Sequence, residues 1–114
     1  DIEEYNAQIT ELTDISQGLV YYSMTIQNQN ISQIGKQGIR QLLASLKVID
    51  EKYSERLENY DLNPSQSLFC ILYHIGKSDE EVMQILQYSL SNIRVRKSRI
   101  KSDTGAESFD DIIR

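Results

Sequence analysis

The sequence predicts an all-α chain: two long N-terminal helices followed by a unit of three to four shorter ones. Three observations carry this. One Pro and five Gly among 114 residues leave few turns for a strand-rich fold. Apolar residues recur at steps of three and four, the period of a helix face. The second half of the chain also shows a series of helix-start signatures, each with a capping side chain just before an apolar run.

The first helix is expected from Ile2 to about Asn28. Ile2, Tyr5, Ile9, Leu12, Ile15, Leu19, Tyr22 and Ile26 fall on one face. Ile2 and Ile9 also occupy heptad a positions and Tyr5, Leu12, Leu19 and Ile26 d positions, with Ser16 and Ser23 interrupting the a series. Two readings fit. One is a dimerising coiled coil through Ile2, Tyr5, Ile9, Leu12, Leu19 and Ile26; the other is an amphipathic helix lying on the rest of the chain. A polar stretch, Gln27 to Asn30, breaks the pattern. A second helix is expected from Ile31 to about Tyr60, with a stripe of Ile31, Ile34, Ile39, Leu42, Leu43, Leu46, Ile49, Tyr53 and Leu57. Gly35 and Gly38 within it mark either a bend or a close helix–helix approach.

Asp61-Leu62-Asn63-Pro64 is the clearest boundary. Asn63 suits an N-cap, Pro64 the first helical position, and Gln66 completes a capping box. The helix they open is expected to bury Leu68, Phe69, Leu72 and Ile75 and to end at Gly76. Ser78 and Glu81 form a second box, opening a short helix from Asp79 to about Gln87 that buries Val82, Ile85 and Leu86. Ser89 caps a basic helix from Leu90 to about Lys101. Two short helices joined by a tight link around Tyr88 have helix-turn-helix spacing. The division expected is an arm over residues 1–61, a unit over 62–105 and an acidic tail over 106–114, with one docked turn from Phe109, Ile112 and Ile113.

The net charge of -5 is unevenly spread. Residues 1–61 hold 5 Lys and Arg against 10 Asp and Glu, and residues 103–114 hold 1 against 4. Residues 62–102 hold 6 against 3, five of the six lying between Arg94 and Lys101. A local cationic cluster on an acidic chain indicates an anionic partner, and DNA is the usual one. On a wheel of 100° per residue with Ile93 at zero, Ile100 and Leu90 fall on the inner side, at about 340° and 60°. Ser91, Val95 and Ser98 point outward, flanked by Asn92, Arg94 and Arg99; Lys97 falls near the core side at about 40°. Small outward residues edged by long cations suit a helix laid in a major groove. Val95 can touch a thymine methyl, and Arg94 can pair with guanine.

At this point the residues meet a family. Leu62 to Gly105 resembles the LuxR-type (GerE-like) helix-turn-helix domain of transcriptional regulators. Leu62-Asn63-Pro64-Ser65-Gln66 stands for the family's Leu-Thr-x-x-Glu opening. Gly76 and Ser78-Asp79-Glu80-Glu81-Val82-Met83 stand for its Gly and Ser-x-x-Glu-Ile-Ala. Leu86, Ser89-Leu90-Ser91-Asn92-Ile93, Arg99-Ile100 and Gly105 follow in register without a gap. Gln66, Asn92, Lys97 and Thr104 replace the usual Glu, Thr, apolar residue and Leu. Within the family the chain resembles the variant at the C-terminus of regulators from Bacteroidetes-type bacteria, where a tetratricopeptide sensor and a coiled-coil linker come first. That variant carries Arg or Lys at the position of Lys97, and its linker ends in a stretch like Tyr53-Ser54-Glu55-Arg56-Leu57. The resemblance implies dimeric binding of double-stranded DNA, with Arg94, Val95 and Ser98 at the bases and Asn92 near phosphate; it does not imply a catalytic activity, and no enzyme is expected. Charge and position add Arg96, Lys97, Arg99, Lys101 and Lys77 as expected phosphate contacts.

Other chemistry finds little footing. One Cys (Cys70) excludes an internal disulfide and a Cys-based zinc site, and one His (His74) excludes a His-pair metal motif. His74 near Ser78 and Asp79 lacks the strained turn and buried acid of a hydrolase and reads as structural. Glu80 and Glu81 are adjacent and cannot share a helix face as an acid–base pair. No Gly-rich phosphate loop is present, so no cofactor is expected. The longest apolar run, Leu68 to Tyr73, is far below the roughly 20 residues of a membrane span. A cytoplasmic regulator, cut from something longer than this Asp1-initiated chain, is the expectation. The alternative is a helical protein-interaction module whose helix-turn-helix has lost DNA.

Overall fold

A computed structural model describes all residues, Asp1–Arg114. It contains seven helices and no strand: α1 (Ile2–Ile26), α2 (Gly35–Ile49), α3 (Glu51–Asn59), α4 (Pro64–His74), α5 (Asp79–Leu86), α6 (Leu90–Thr104) and α7 (Phe109–Ile113). The capping signatures act where the sequence places them. Asn63 with Gln66 and Ser78 with Glu81 form reciprocal capping boxes, and the Ser89 hydroxyl accepts from the Asn92 N–H. The Ser108 hydroxyl does the same for α7, by accepting from the Asp111 N–H.

Four expectations change. The helix expected from Ile31 to Tyr60 is two helices, because Asp50 leaves the helical region (φ -146°, ψ 78°) and its carboxylate caps α3 by accepting from the Tyr53 N–H. That helix also starts late. Ile31 lies in the connecting segment, buried, with its N–H donating to the Ile85 carbonyl. Gly35, at φ +73°, turns the chain into α2. The basic helix runs three residues past Lys101, to a left-handed Gly105. Leu90, expected inside, is 37% exposed on the first turn of α6.

The core centres on α4. Leu68, Phe69, Cys70, Ile71 and Leu72 are consecutive and all essentially buried, so this helix is apolar around its whole circumference and not on one face. Leu42, Leu46, Tyr53 and Leu57 pack with Val82, Ile85, Ile93, Ile100 and Ile112 in the same cluster. One core therefore runs across the Asp61–Leu62 boundary. Each such side chain contributes about 1.5–3 kcal/mol through burial. Burial also pushes the Cys70 thiol up to about 12, so it is protonated and unreactive. The tail belongs to this core as well, since Ile112 is fully buried and Phe109 packs against Phe69 and Tyr73.

His74 ties the tail down. Its Nε2 lies 2.9 Å from the Asp50 carboxylate and its Nδ1 2.7 Å from the Ile113 carbonyl. The ring stacks on Tyr53 at 3.5 Å, and the Tyr53 hydroxyl donates to the Ile112 carbonyl. Both ring nitrogens face acceptors, so both contacts are hydrogen bonds only when the ring carries two protons.

α1 seats on α2 through a narrow polar face. Asp14 accepts from Arg40 (2.7 Å) and from Gln41 (3.2 Å). Gly18 lies against the α2 backbone, where an added Cβ would collide with the Gln41 carbonyl oxygen. Of the two readings of Gly35 and Gly38, Gly35 makes a bend and Gly38 is buried against the Ile34 side chain, while the close approach of two helices falls at Gly18.

Two outcomes are expected. Gly18→Ala should lower stability by about 1–3 kcal/mol in chemical denaturation, because the backbones must separate. Asp50 has a carboxyl held below the usual range, first by the His74 hydrogen bond and then by the Tyr53 N–H. A depressed folded-state value gives stability that is present above the unfolded pKa of about 3.9 and lost as pH falls from there. Asp50→Asn should therefore flatten the acid limb of the stability–pH curve below about pH 4.

Candidate nucleic-acid interface

α6 divides its residues by face. Ile93 and Ile100 are buried against the core, while Ser91, Asn92, Arg94, Val95, Ser98, Arg99 and Lys101 are exposed. Val95 is 54% exposed, a large apolar side chain held in solvent between Ser91 and Ser98. Two shallow depressions meet at Val95 and Arg99, one bounded by Ser89, Asn92 and Arg96 and the other by Arg94, Ser98 and Asp103.

The six expected phosphate contacts separate into three groups. Arg99 and Lys101, like the base-reading candidate Arg94, form no ion pair and extend from the exposed face. Asn92 and Arg96 are engaged with each other: Arg96 Nε donates to Asn92 Oδ1 at 2.6 Å, and the guanidinium lies over the Tyr88 ring at 4.2 Å. Both remain at the surface, held in a fixed pose.

Lys97 and Lys77 are placed elsewhere. Lys97 turns to the back of α6 and donates to Asp79 Oδ1 at 3.0 Å, with its ammonium 4.5 Å from the centre of the Tyr73 ring and 5.6 Å from that of Phe109. Asp79 also accepts from the Tyr73 hydroxyl at 2.6 Å. That bond first, and the Lys97 bond second, hold the Asp79 carboxyl below its usual range, while burial and then the Asp79 bond push the Tyr73 phenol up. This box joins α4, α5, α6 and α7 through one ammonium. Position near the core side of the wheel was the better guide to Lys97 than its charge. Lys77 is 11% exposed and donates to the Ile26 carbonyl and to Asn28 Oδ1, so it closes the C-terminus of α1.

The residues named for dimerisation stand on the opposite side of α1 from α2. Ile2 is 80% exposed, Leu12 66% and Ile26 51%, with Tyr5, Ile9 and Leu19 also exposed. α1 thus lies on α2, but by the face of Asp14, Gly18 and Thr25 and not by the apolar stripe the sequence offered for that contact; the heptad face is left open.

A concavity of about 730 Å³ lies away from α6, between α1, α2, α3 and the start of α4. Arg40 is paired there with Asp14 and Lys47 with Glu58. No group of three or more His, Cys, Asp or Glu side chains is placed to hold a metal ion, and no helix is long and apolar enough to cross a membrane. Comparison of the chain with family models, curated proteins and solved structures gave no match.

The box around Lys97 separates structural from surface charge. Lys97→Ala should destabilise the fold by about 1–3 kcal/mol, the cost of leaving Asp79 and Tyr73 without that donor. Arg99→Ala should change stability by less than about 0.5 kcal/mol. Thermal or chemical unfolding of the two variants side by side measures the difference.

Proposed function

We propose that the chain binds double-stranded DNA in a sequence-dependent manner through the exposed face of α6, as the DNA-binding part of a transcriptional regulator. The observation that carries this is the composition of that face. Three small or short side chains, Ser91, Val95 and Ser98, share one exposed side of the helix and are flanked by the unpaired cations Arg94, Arg99 and Lys101. Short side chains let a helix backbone approach base edges, and flexible cations beside them reach bases or phosphates.

In this reading α6 is the recognition helix and α5 crosses behind it, joined by the three-residue link Gln87–Ser89, as in a helix-turn-helix. Gln87 sits in the left-handed region (φ 60°) and makes the turn. Arg94, Val95 and Ser98 face bases. Arg99 and Lys101 hold phosphates, with Asn92 and Arg96 offering a pre-set pair at the N-terminal end. Lys97 and Lys77 are left out, because both are engaged inside the fold. The LuxR-type resemblance of Leu62 to Gly105 supports the same assignment, and a cytoplasmic location follows from the proposed target.

A second reading is favoured by α1. Its open apolar face on a helix without a single cation suits a protein partner, with α6 then a solvated surface. Salt separates the two. Binding through several phosphates weakens steeply with salt, by a slope of about -0.9 per phosphate contact on a log–log plot, whereas an apolar interface does not.

The deciding experiment is selection from random duplex DNA, followed by fluorescence anisotropy on the selected site. Arg94→Ala is expected to cost about 1–3 kcal/mol and to relax one base position, and Arg99→Ala to weaken all sequences alike and reduce the salt slope by about one. Absence of any enriched sequence, with an Arg94/Arg99 double-alanine variant binding as well as the native chain, would overturn the DNA reading.

A further inference from the structure

α1 overhangs the helix it sits on. Asp14 and Gly18 seat it on α2, and every residue before Asp14 is exposed. α2 in turn packs against α3 and α4. The result is a groove with α2 as its floor. The N-terminal half of α1 forms one wall, and α3 with the start of α4 forms the other. Its volume, about 730 Å³, lies within the roughly 300–1,000 Å³ of small-molecule sites. None of the residues that line it belongs to α5, α6 or α7, so the groove stands apart from the proposed DNA face.

The lining has three kinds of group. Most of it is apolar: Ile15, Leu43 and Leu62 are half-buried there, and Val48 is 66% exposed. Two hydroxyls lie deep. Ser54 is 5% exposed and Ser67 7%. Buried Ser45 returns its hydroxyl to the Leu42 carbonyl, but neither Ser54 nor Ser67 makes such a bond. No unpartnered side-chain oxygen in the chain is sealed from the surface, so both hydroxyls open onto the groove they line. The third kind is charge at the rim. Arg40 is paired with Asp14 at 2.7 Å and Lys47 with Glu58 at 3.3 Å, and each pair pins one wall to the floor. Glu11 on the α1 wall and Asp61 on the other have no cation.

We propose that this groove binds a small amphiphilic cation: an apolar body seated on α2, a hydrogen-bonding group against Ser54 and Ser67, and an ammonium at Glu11 and Asp61. Apolar lining with a few placed polar groups is the composition of a small-molecule site. Charge selects the sign of the occupant. Both cations of the groove are already neutralised, and the two acids left over face each other from opposite walls. An anion would meet those acids without a free cation to receive it.

The hydroxyls decide between a small molecule and the apolar face of a partner helix. A helix seated here would lay hydrocarbon over Ser54 and Ser67 and close them off from any partner, which is costly. A small molecule carrying its own donor or acceptor meets them. Such an occupant also joins elements that the chain leaves apart. α1 is seated on α2 alone at this end, and a molecule touching both walls ties its free N-terminal half to α3.

The test is amide NMR of the full chain, titrated with three probes that share a naphthalene body: 1-naphthylmethylamine (cationic), 1-naphthylmethanol (neutral) and 1-naphthoate (anionic). Saturable shifts are expected at Leu43, Lys47, Ser54 and Leu62, with the amine binding about fivefold tighter than the naphthoate. No saturable shift from any probe at about 2 mM would overturn the site, as would shifts confined to the open stripe of Leu12 and Leu19. Equal binding of amine and naphthoate would overturn the cation. Glu11→Gln with Asp61→Asn is expected to abolish the preference for the amine and leave the naphthylmethanol unchanged; both residues are exposed and unpaired, so the fold is unaffected. A preference that survives would remove these acids from the site. Ser54→Ala with Ser67→Ala is expected to weaken the naphthylmethanol about threefold, and no weakening would remove the hydroxyls. Bound amine is expected to slow amide exchange over residues 2–13, and unchanged exchange would remove α1 as a wall.

Discussion

The fold depends most on a single side chain, the imidazole of His74. It meets Asp50 at the break between α2 and α3, stacks on Tyr53 of α3 and reaches the Ile113 carbonyl at the end of α7. Four elements are referenced to one ring. Asp50 has three tasks here. It ends α2, caps α3 and supplies the carboxylate opposite His74. The redirection of the chain after Ile49 lets Tyr53 and Leu57 turn into the core alongside Leu42 and Leu46. Without that break, a continuous helix would carry its apolar stripe past α4. The tail then closes over the same ring, which makes α7 part of the core.

The candidate interface rests on this framework through a second polar centre. The Lys97 ammonium, between Asp79, Tyr73 and Phe109, fixes the back of α6 against α4, α5 and α7. Ile93 and Ile100 fix it by burial. α6 is therefore held from behind by one charge and two apolar side chains, and its front carries what is left. A rigid back is what allows a front of serines and Val95 to stay presented to solvent. The cations on that front differ in kind from Lys97 only by their angle on the helix.

Helix positions were legible because the chain writes them with capping residues: Asn63 with Gln66, Ser78 with Glu81, Ser89. The exposed set on α6 was legible because a wheel needs only periodicity. What the sequence concealed were long-range polar partners. Nothing local shows that Asp50 will meet His74, 24 residues on, or that Lys77 will close a helix ending at Ile26. Lys97 and Lys77 were read as phosphate contacts from their charge, and charge does not reveal whether a partner waits inside. Gly18 was passed over for a related reason. Its role appears only against Gln41, a backbone neighbour supplied by another helix. The heptad face of α1 was visible, but that the opposite, polar face seats on α2 through Asp14 was not.

An acidic chain with a proposed polyanionic partner is consistent once the acids are located. Asp14 is taken by Arg40, Asp50 by His74, Asp79 by Tyr73 and Lys97, Glu81 by Asn28, and Glu58 by Lys47. These groups sit at joints between helices. Beside the exposed face of α6 Asp103 stands at the C-terminal end, where the Gln66 amide donates to it, and Asp79 lies near enough for the Arg94 charge to act on its carboxyl. The other acids of α1, Glu3, Glu4 and Glu11, lie in its N-terminal half, and the reach of exposed charge at physiological salt is about 8 Å. What an incoming anion meets there is the local field of Arg94, Arg99 and Lys101, and the net charge of -5 describes the molecule without describing that surface.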